Sequence, residues 1–263
     1  MKNLIFFTCC WLLIGCKKND QSRITQKILI AETDPAMFGM KQFNSEKRNA
    51  GYLLRNPNSN KCDNFIKPSK KNSTIFLDFD GATVSGTSWN WISDIFAAPA
   101  NLTDDEQCFI YNRFVQAYDT FNVLITLDSL KYFATNPANR VKIIFTETDN
   151  WFCGLSHCAG GVAYVGSFTW GDNTPCFVFT TALAYNQHYI AEAGVHEAGH
   201  TLGLYHQSVY DTACVKTAEY KQGKIMGVSY NFPYGTWCIG TSSTSCTKIQ
   251  DDIQTIALII GYN

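Results

Sequence analysis

Between positions 196 and 206 the chain reads His-Glu-Ala-Gly-His-Thr-Leu-Gly-Leu-Tyr-His, residue types and spacings that could hold and use a catalytic zinc ion. Side chains four apart on a helix share a face, so His196 and His200 can present their imidazoles to one ion at about 2.0–2.1 Å. Glu197, the next residue round, falls beside the metal rather than on the same ligand vector. From there it can hydrogen-bond a water in an open fourth position and take its proton. For His206 to reach the same ion the chain must leave the helix in a sharp turn, and Gly203 can adopt the positive φ that such a turn needs. The constellation is hydrolytic. A structural zinc site, the competing reading, closes its tetrahedron with cysteine or histidine and has no use for an adjacent glutamate. Five fixed residues at these offsets have chance odds on the order of one in ten thousand in a chain of this size, whereas His-Glu-x-x-His alone is several hundredfold weaker as a signal.

The elements that must position these residues can be read from periodicity. A helix from about Tyr189 to Gly203 carries the motif, and Ala191, Glu192 and Ala193 are strong helix formers in the turn before it. Thr103 with Glu106 forms a capping box, and Phe109, Ile110, Phe114, Ala117 and Phe121 follow at helical spacing, predicting a helix over roughly 104–119. Thr74 to Phe79, closed by Asp80-Gly81, reads as a strand, and Asn122–Leu127, Val141–Thr146, Gly160–Ser167 and Cys176–Thr180 supply further buried strands. Gln250-Asp251-Asp252 introduces Ile253, Ile256, Ala257 and Ile260 at helical spacing, a short final helix. No internal repeat is present.

The chain has 263 residues, 46% hydrophobic, enough for one sizeable core and one catalytic domain. Its formal net charge is −1 with charges of both signs scattered, which leaves no electrostatic footprint for nucleic acid. A peptide-like partner and a monomer are expected. Residues 1–15 look like an export leader: Lys2, an apolar run from Leu4 to Ile14, then Gly15-Cys16. That run is too short for a membrane span, which needs ~20 residues. Leu13-Ile14-Gly15-Cys16 resembles a bacterial lipobox, which implies cleavage before Cys16 and a lipid on its thiol and amino terminus. Lys17, in place of an aspartate that would favour inner-membrane retention, points to the outer membrane or cell surface. Eight cysteines lie beyond the leader, an even number that in an exported protein reads as up to four disulfides whose connectivity cannot be deduced. Nearness in sequence favours Cys153 with Cys158 and Cys238 with Cys246. Residues 16–72 are rich in lysine, asparagine and serine, with isolated apolar pieces such as Ile28-Leu29-Ile30. They read as a tether plus an N-terminal segment that packs on the catalytic domain or acts as a propeptide; the catalytic domain spans 73–263.

The motif together with Met226, twenty residues beyond His206 in Lys224-Ile225-Met226-Gly227, resembles the metzincin clan of zinc metalloendopeptidases. Leu77-Asp78-Phe79-Asp80-Gly81, Phe121-Asn122-Val123, Gly161-Val162-Ala163-Tyr164-Val165-Gly166, Met226-Gly227-Val228 and Gln250-Asp251-Asp252 extend the likeness to a bacterial secreted subgroup, over about residues 73–263. The resemblance implies an α+β fold: a twisted, mainly parallel five-stranded sheet with packed helices, and a small irregular C-terminal subdomain ending in a helix. It makes His196, His200 and His206 ligands of one catalytic Zn2+, Glu197 the general base, and Met226 a hydrophobic floor beneath the metal. Gly161, Val162, Ala163 and Tyr164 would form the edge strand that holds an extended substrate by main-chain bonds. Two departures matter. Gln207 follows His206 where several families carry an acidic or small residue. Tyr230 stands four residues past Met226, not two, so an astacin-like tyrosine ligand does not transfer.

Other candidates carry blander readings. His157 and His188 are read as ordinary surface or core histidines. Asp78, Asp80, Asp251 and Asp252 could bind calcium, but no calcium-loop spacing joins them, and turn or cap roles are favoured. Cys62 could be a latent zinc ligand, although a disulfide is favoured because removing it leaves an odd count. The leading function is therefore a lipid-anchored, extracytoplasmic zinc endopeptidase. The alternatives are a surface-anchored zinc-containing protein that binds proteins or peptides without significant proteolysis, and a zymogen blocked by residues 17–72 in which trimming near Lys70 raises activity. Val228 to Trp237 suggests an apolar or aromatic lining for the pocket beyond the scissile bond.

Overall fold

A computed structural model of the protein describes residues 29–31, 62, 71–154 and 159–263. The expected leader, Cys16 with its expected lipid, most of the 17–72 segment, His157 and Cys158 lie outside the described residues. Among the described residues no helix is long and apolar enough to cross a membrane.

The architecture is α+β. Strand β1 is Leu29–Ala31, β2 Ser73–Asp78, β3 Ala82–Val84, β4 Ile95–Ala97, β5 Val123–Thr126, β6 Arg140–Thr146, β7 Gly161–Tyr164 and β8 Cys176–Phe179. Helix α1 is Asp104–Tyr118, α2 Ser129–Ala134, α3 Asn150–Cys153, α4 Gln187–Thr201 and α5 Asp252–Ile260. The main sheet has the order β1-β7-β8-β6-β2-β5. Strands β8, β6, β2 and β5 run parallel, and β7 runs against β8. Parallel neighbours need crossover connections; α1 lies in the one from β2 to β5, and α2 in the connection from β5 past β2 to β6. Five strands, as expected, come from residues 73–263. The sixth, β1, comes from the N-terminal segment and pairs antiparallel with β7.

Alternation along the strands splits the core in two. Ile143, Phe145, Ala163, Cys176 and Val178 face α1 and α4, whereas Ile144, Val162, Tyr164, Phe177 and Phe179 face the opposite side. That second face is covered by the β3–β4 hairpin and Trp89, whose indole lies 4.1 Å from the Tyr164 ring and donates to the Pro175 carbonyl at 2.7 Å. Nothing in the periodicity signals this hairpin, because its exposed Phe96 and Ile92 contradict a simple apolar pattern. β2 is buried on both faces along its whole length, which is why its centre, Ile75-Phe76-Leu77, runs apolar without alternation.

Helix α1 begins as its capping box predicts: the Glu106 N–H donates to Thr103 Oγ1 at 3.3 Å and the Thr103 N–H to Glu106 Oε2 at 2.8 Å. It packs Ile110, Phe114 and Tyr118 against α4 and the sheet. Beyond α4 the chain becomes irregular, with the short ribbons β9 (Val209–Tyr210) with β10 (Lys216–Ala218) and β11 (Ile239–Thr241) with β12 (Ile249–Asp251) before α5.

Disulfides join Cys62 to Cys108 on α1 and Cys214 to Cys246. The first removes Cys62 as a latent metal ligand. Cys153 is also disulfide-bonded, and its expected partner Cys158 lies outside the described residues. The expected Cys238–Cys246 bridge is not formed: Cys246 takes the more distant Cys214, and Cys238 is a free thiol. Sequence proximity loses here because β11 and β12 hold Cys238 against Gln207 instead.

Candidate metal centre

Helix α4 starts at Asn186, whose side chain accepts from the N–H groups of His188 and Tyr189. Every residue from Ile190 to Thr201 is buried, so the histidine face lies inside the protein rather than on its surface. The helix stops in a Schellman turn: the Leu204 N–H reaches the Gly199 carbonyl at 3.2 Å and the Gly203 N–H reaches that of His200 at 2.9 Å. Gly203 has φ +91°, the left-handed conformation its position in the motif implies. The turn reverses the chain and brings His206 back to the helix.

His196, His200 and His206 form a buried group whose ligand atoms all lie within 4.8 Å of one another. Their Nε2 atoms make a triangle with sides of 2.9, 3.1 and 3.0 Å. Hydrogen bonds cannot account for all three contacts. His196 Nδ1 lies 2.5 Å from the Ile225 carbonyl and His200 Nδ1 lies 2.7 Å from that of Leu204, and a carbonyl only accepts. Those two Nδ1 atoms therefore carry the protons, and the Nε2 lone pairs converge. A cation relieves that convergence: one point about 2.0–2.1 Å from each nitrogen exists for a triangle of this size. Carbonyls fixing the far side of ligating imidazoles are the usual outer support of a metal site. The group could thus hold a metal ion.

Electrostatics favour the ligating form. Burial lowers the His196 pKa to about 4, against the opposing pull of the Ile225 carbonyl and Glu192. Burial also holds His200 and His206 well below the ordinary imidazole range, reinforced by their neighbouring histidines. All three are neutral at pH 7, as metal binding requires.

Glu197 is fully buried and is not one of the clustered ligands. Its side chain lies against the first residue of β7: a Cβ at Gly161 would stand 2.7 Å from Glu197 Cγ and 2.9 Å from its Oε1. Gly161, expected to bind substrate through its backbone, is thus also the residue that makes room for the glutamate. Val162 and Tyr164 face the Trp89 side, with the Tyr164 hydroxyl donating to the Ser88 carbonyl at 3.1 Å. The outer edge of β7, expected to be open to substrate, is paired with β1.

Met226 is fully buried, with its sulfur so close to Gly199 that a Cβ there would stand 2.7 Å away. The Ile225 carbonyl holds His196, and the Met226 carbonyl accepts from the Gln207 N–H at 2.6 Å, so this turn touches both sides of the histidine cluster. Tyr230 has its hydroxyl near Gly160, the residue before the one against which Glu197 packs, and its ring 5.4 Å from Tyr189. The Tyr220 ring meets His206 of the cluster edge-on at 5.1 Å. His188 stands at the start of α4, apart from the cluster. Among the acidic candidates, Asp78 accepts from the Asp80 N–H at 3.3 Å and Asp251 caps α5, the turn and cap roles expected of them, and Asp78 also pairs with Lys142 at 3.1 Å.

Two buried networks have no counterpart in the sequence patterns. Glu192, one turn before His196, receives Arg113 Nε and the Ser229 hydroxyl at 2.5 Å each and the Gly235 N–H at 2.9 Å. It ties α1, α4 and the loop after Met226 together. Arg113 interrupting an otherwise apolar helix face is the signal that could have revealed it. The second network surrounds His206. Gln250 pairs with both backbone groups of Tyr205, accepting from its N–H at 2.9 Å and donating to its carbonyl at 2.8 Å. Gln207, also fully buried, donates to Asp252 Oδ1 at 2.9 Å and to the Cys238 carbonyl at 3.1 Å. Asp252 further accepts from Gln250 and from the Cys238 N–H. Burial raises the Asp252 pKa to about 6, and these hydrogen bonds oppose the rise. Gln207 therefore serves the architecture, locking the residue after the third histidine to the C-terminal helix.

No protein-family model matches the chain, and no curated protein matches it.

Proposed function

We propose that the protein is a metzincin-type zinc endopeptidase that hydrolyses peptide bonds of extracytoplasmic proteins or peptides. The observation that carries this reading is the convergence of three neutral Nε2 atoms at 2.9–3.1 Å, with the buried Glu197 following the first of them. Three nitrogen ligands leave a tetrahedral ion one open position, the arrangement of catalytic rather than structural zinc. The bound zinc would supply Lewis acidity, polarising a scissile carbonyl and making a water more acidic. The chain's own residues do the rest. Ile225 and Leu204 hold His196 and His200 in the ligating tautomer through Nδ1. The Glu197 carboxylate takes the proton of the attacking water and returns it to the leaving amine. Burial of Glu197 between α4 and Gly161 keeps bulk water from competing for that proton. The leader-like residues 1–15 and Cys16 support a place for this activity in the bacterial cell envelope, lipid-anchored at the outer membrane or cell surface.

The test combines metal content with peptide-library cleavage. Purified protein should hold one equivalent of zinc and cut peptides, and Glu197→Ala should keep the zinc and lose about 10²–10⁴-fold in rate. A variant that cleaves as well as the parent overturns the proposal. Zinc retention without cleavage by either protein would favour a binding protein.

A further inference from the structure

At one end of the main sheet β7 is the outermost strand contributed by residues 73–263, and its outer edge is taken by β1. The register pairs Leu29 with Tyr164, Ile30 with Ala163 and Ala31 with Val162. Because the pairing is antiparallel, β1 advances from the Tyr164 end of β7 toward Gly161, the residue against which Glu197 packs. A peptide substrate added to this edge in the same direction would place residues preceding its scissile bond along β7 and deliver the next ones to Glu197 and the histidines. We infer that residues 29–31 occupy the substrate's own positions on the β7 edge, as an internal strand that blocks the site until it is cut away. This inference rests on the peptidase reading.

Three residues of main-chain pairing are a weak ligand by themselves. Covalent attachment changes that, since a tethered strand meets its edge at an effective concentration in the mM range. Here the tether has two anchors. One is the continuous chain into β2, and the other is the Cys62–Cys108 disulfide, which fastens the segment to α1. The second anchor makes the position of a cut decisive. Cleavage between Cys62 and Ser73 leaves β1 attached through the disulfide, so trimming near Lys70 does not open the site. Cleavage between Ala31 and Cys62 severs β1 from both anchors. The disulfide thus selects which proteolytic event activates the protein.

The experiment uses the full chain with a site-specific protease sequence inserted either between Ser45 and Glu46 or between Ser69 and Lys70. Cutting at the first site should raise kcat/KM on a library-derived peptide about tenfold or more, and cutting at the second should leave it unchanged. Adding Cys62→Ser and Cys108→Ser to the second insertion should make that cut activating too. Equal kcat/KM before and after the first cut overturns the inference while leaving the peptidase reading intact. A labelled peptide spanning Gln26 to Thr33 gives a readout that needs no hydrolysis, measured by anisotropy in a Glu197→Gln background. It should bind weakly to the protein cut at the first site and freed of the released 1–45 fragment, and not to the intact chain. If it does so while no form of the Glu197-containing protein cleaves peptides, the blocking strand stands and the peptidase reading falls. Equal binding to cut and uncut protein overturns the strand.

Discussion

The two halves of the candidate metal centre are held by different means. His196 and His200 sit one helical turn apart on α4, so their spacing is a property of a few consecutive residues and of a capped, buried helix. His206 belongs to irregular chain, and its position depends on groups more than forty residues away: Gln250 grips Tyr205 on one side and Asp252 grips Gln207 on the other. A helix fixes side chains by local geometry, whereas a loop ligand needs its backbone satisfied by partners brought in from elsewhere. The same asymmetry appears around the helix. Glu192 does not hold a ligand; it fastens α4 to α1 and to the loop after Met226.

Disrupting one network at a time should separate the two kinds of support. The largest effect on stability is expected from Glu192→Ala, which leaves the Arg113 charge buried and uncompensated, at a cost of about 3–5 kcal/mol. Metal affinity measured on the folded fraction at low temperature should change little, because the Nδ1 partners of His196 and His200 are untouched. If affinity collapsed along with stability, the helix half would not be self-sufficient.

Metal-free protein should lose stability on acidification. A histidine whose folded pKa is lowered binds protons more readily when unfolded, so its contribution is complete above the unfolded value and falls away below it. For His196, dropping from 6.5 to about 4, the loss between those pH values is about 3 kcal/mol, and His200 and His206 add to it in the same direction. Asp252 opposes the trend. Its folded pKa is raised from 3.8 to about 6, so its burial costs stability as pH rises through that window and acidification relieves the cost. Three histidines outweigh one carboxyl, and thermal midpoints of the chelated protein should fall from pH 7 to pH 4. A flat or rising profile would contradict the buried, neutral histidine cluster.

The smallest expected effect is also the most diagnostic of the loop half. Asp252→Asn keeps the side-chain shape but turns an amide N–H₂ toward one of the donors from Gln207, Gln250 or Cys238. Outer support of this kind is worth about 10–100-fold in metal affinity. Competition titration with a chromogenic chelator should find that loss with a thermal midpoint that changes far less than for Glu192→Ala. An unchanged affinity would mean that His206 is positioned without the C-terminal helix.

The helical and strand patterns carried much of the fold because each rests on neighbours in the chain. The capping box at Thr103 and the motif helix are where periodicity indicates, and β2, β5, β6, β7 and β8 fall within a few residues of the expected runs. The β3–β4 hairpin was not legible, since it is stabilised by Trp89 reaching Tyr164 and Pro175 across the sheet. Nor was the cysteine pairing, where nearness favoured Cys238 and the fold joined Cys214 to Cys246. Gln207 was visible only as a residue out of keeping with familiar patterns. Its reason lies in Asp252, forty-five positions further on.

By itself the sequence determined the residues that can bind a metal, the helix that presents two of them, the glycine that turns the chain and the glutamate beside the first ligand. All of these are set by spacing within a few residues, where backbone geometry leaves little choice. Only the tertiary structure decided how His206 is held, what Glu192 and Gln207 do, and that Leu29–Ala31 cover the edge of β7. Each of those depends on buried polar groups or strand edges finding partners far along the chain, and such partners are chosen by packing rather than by spacing.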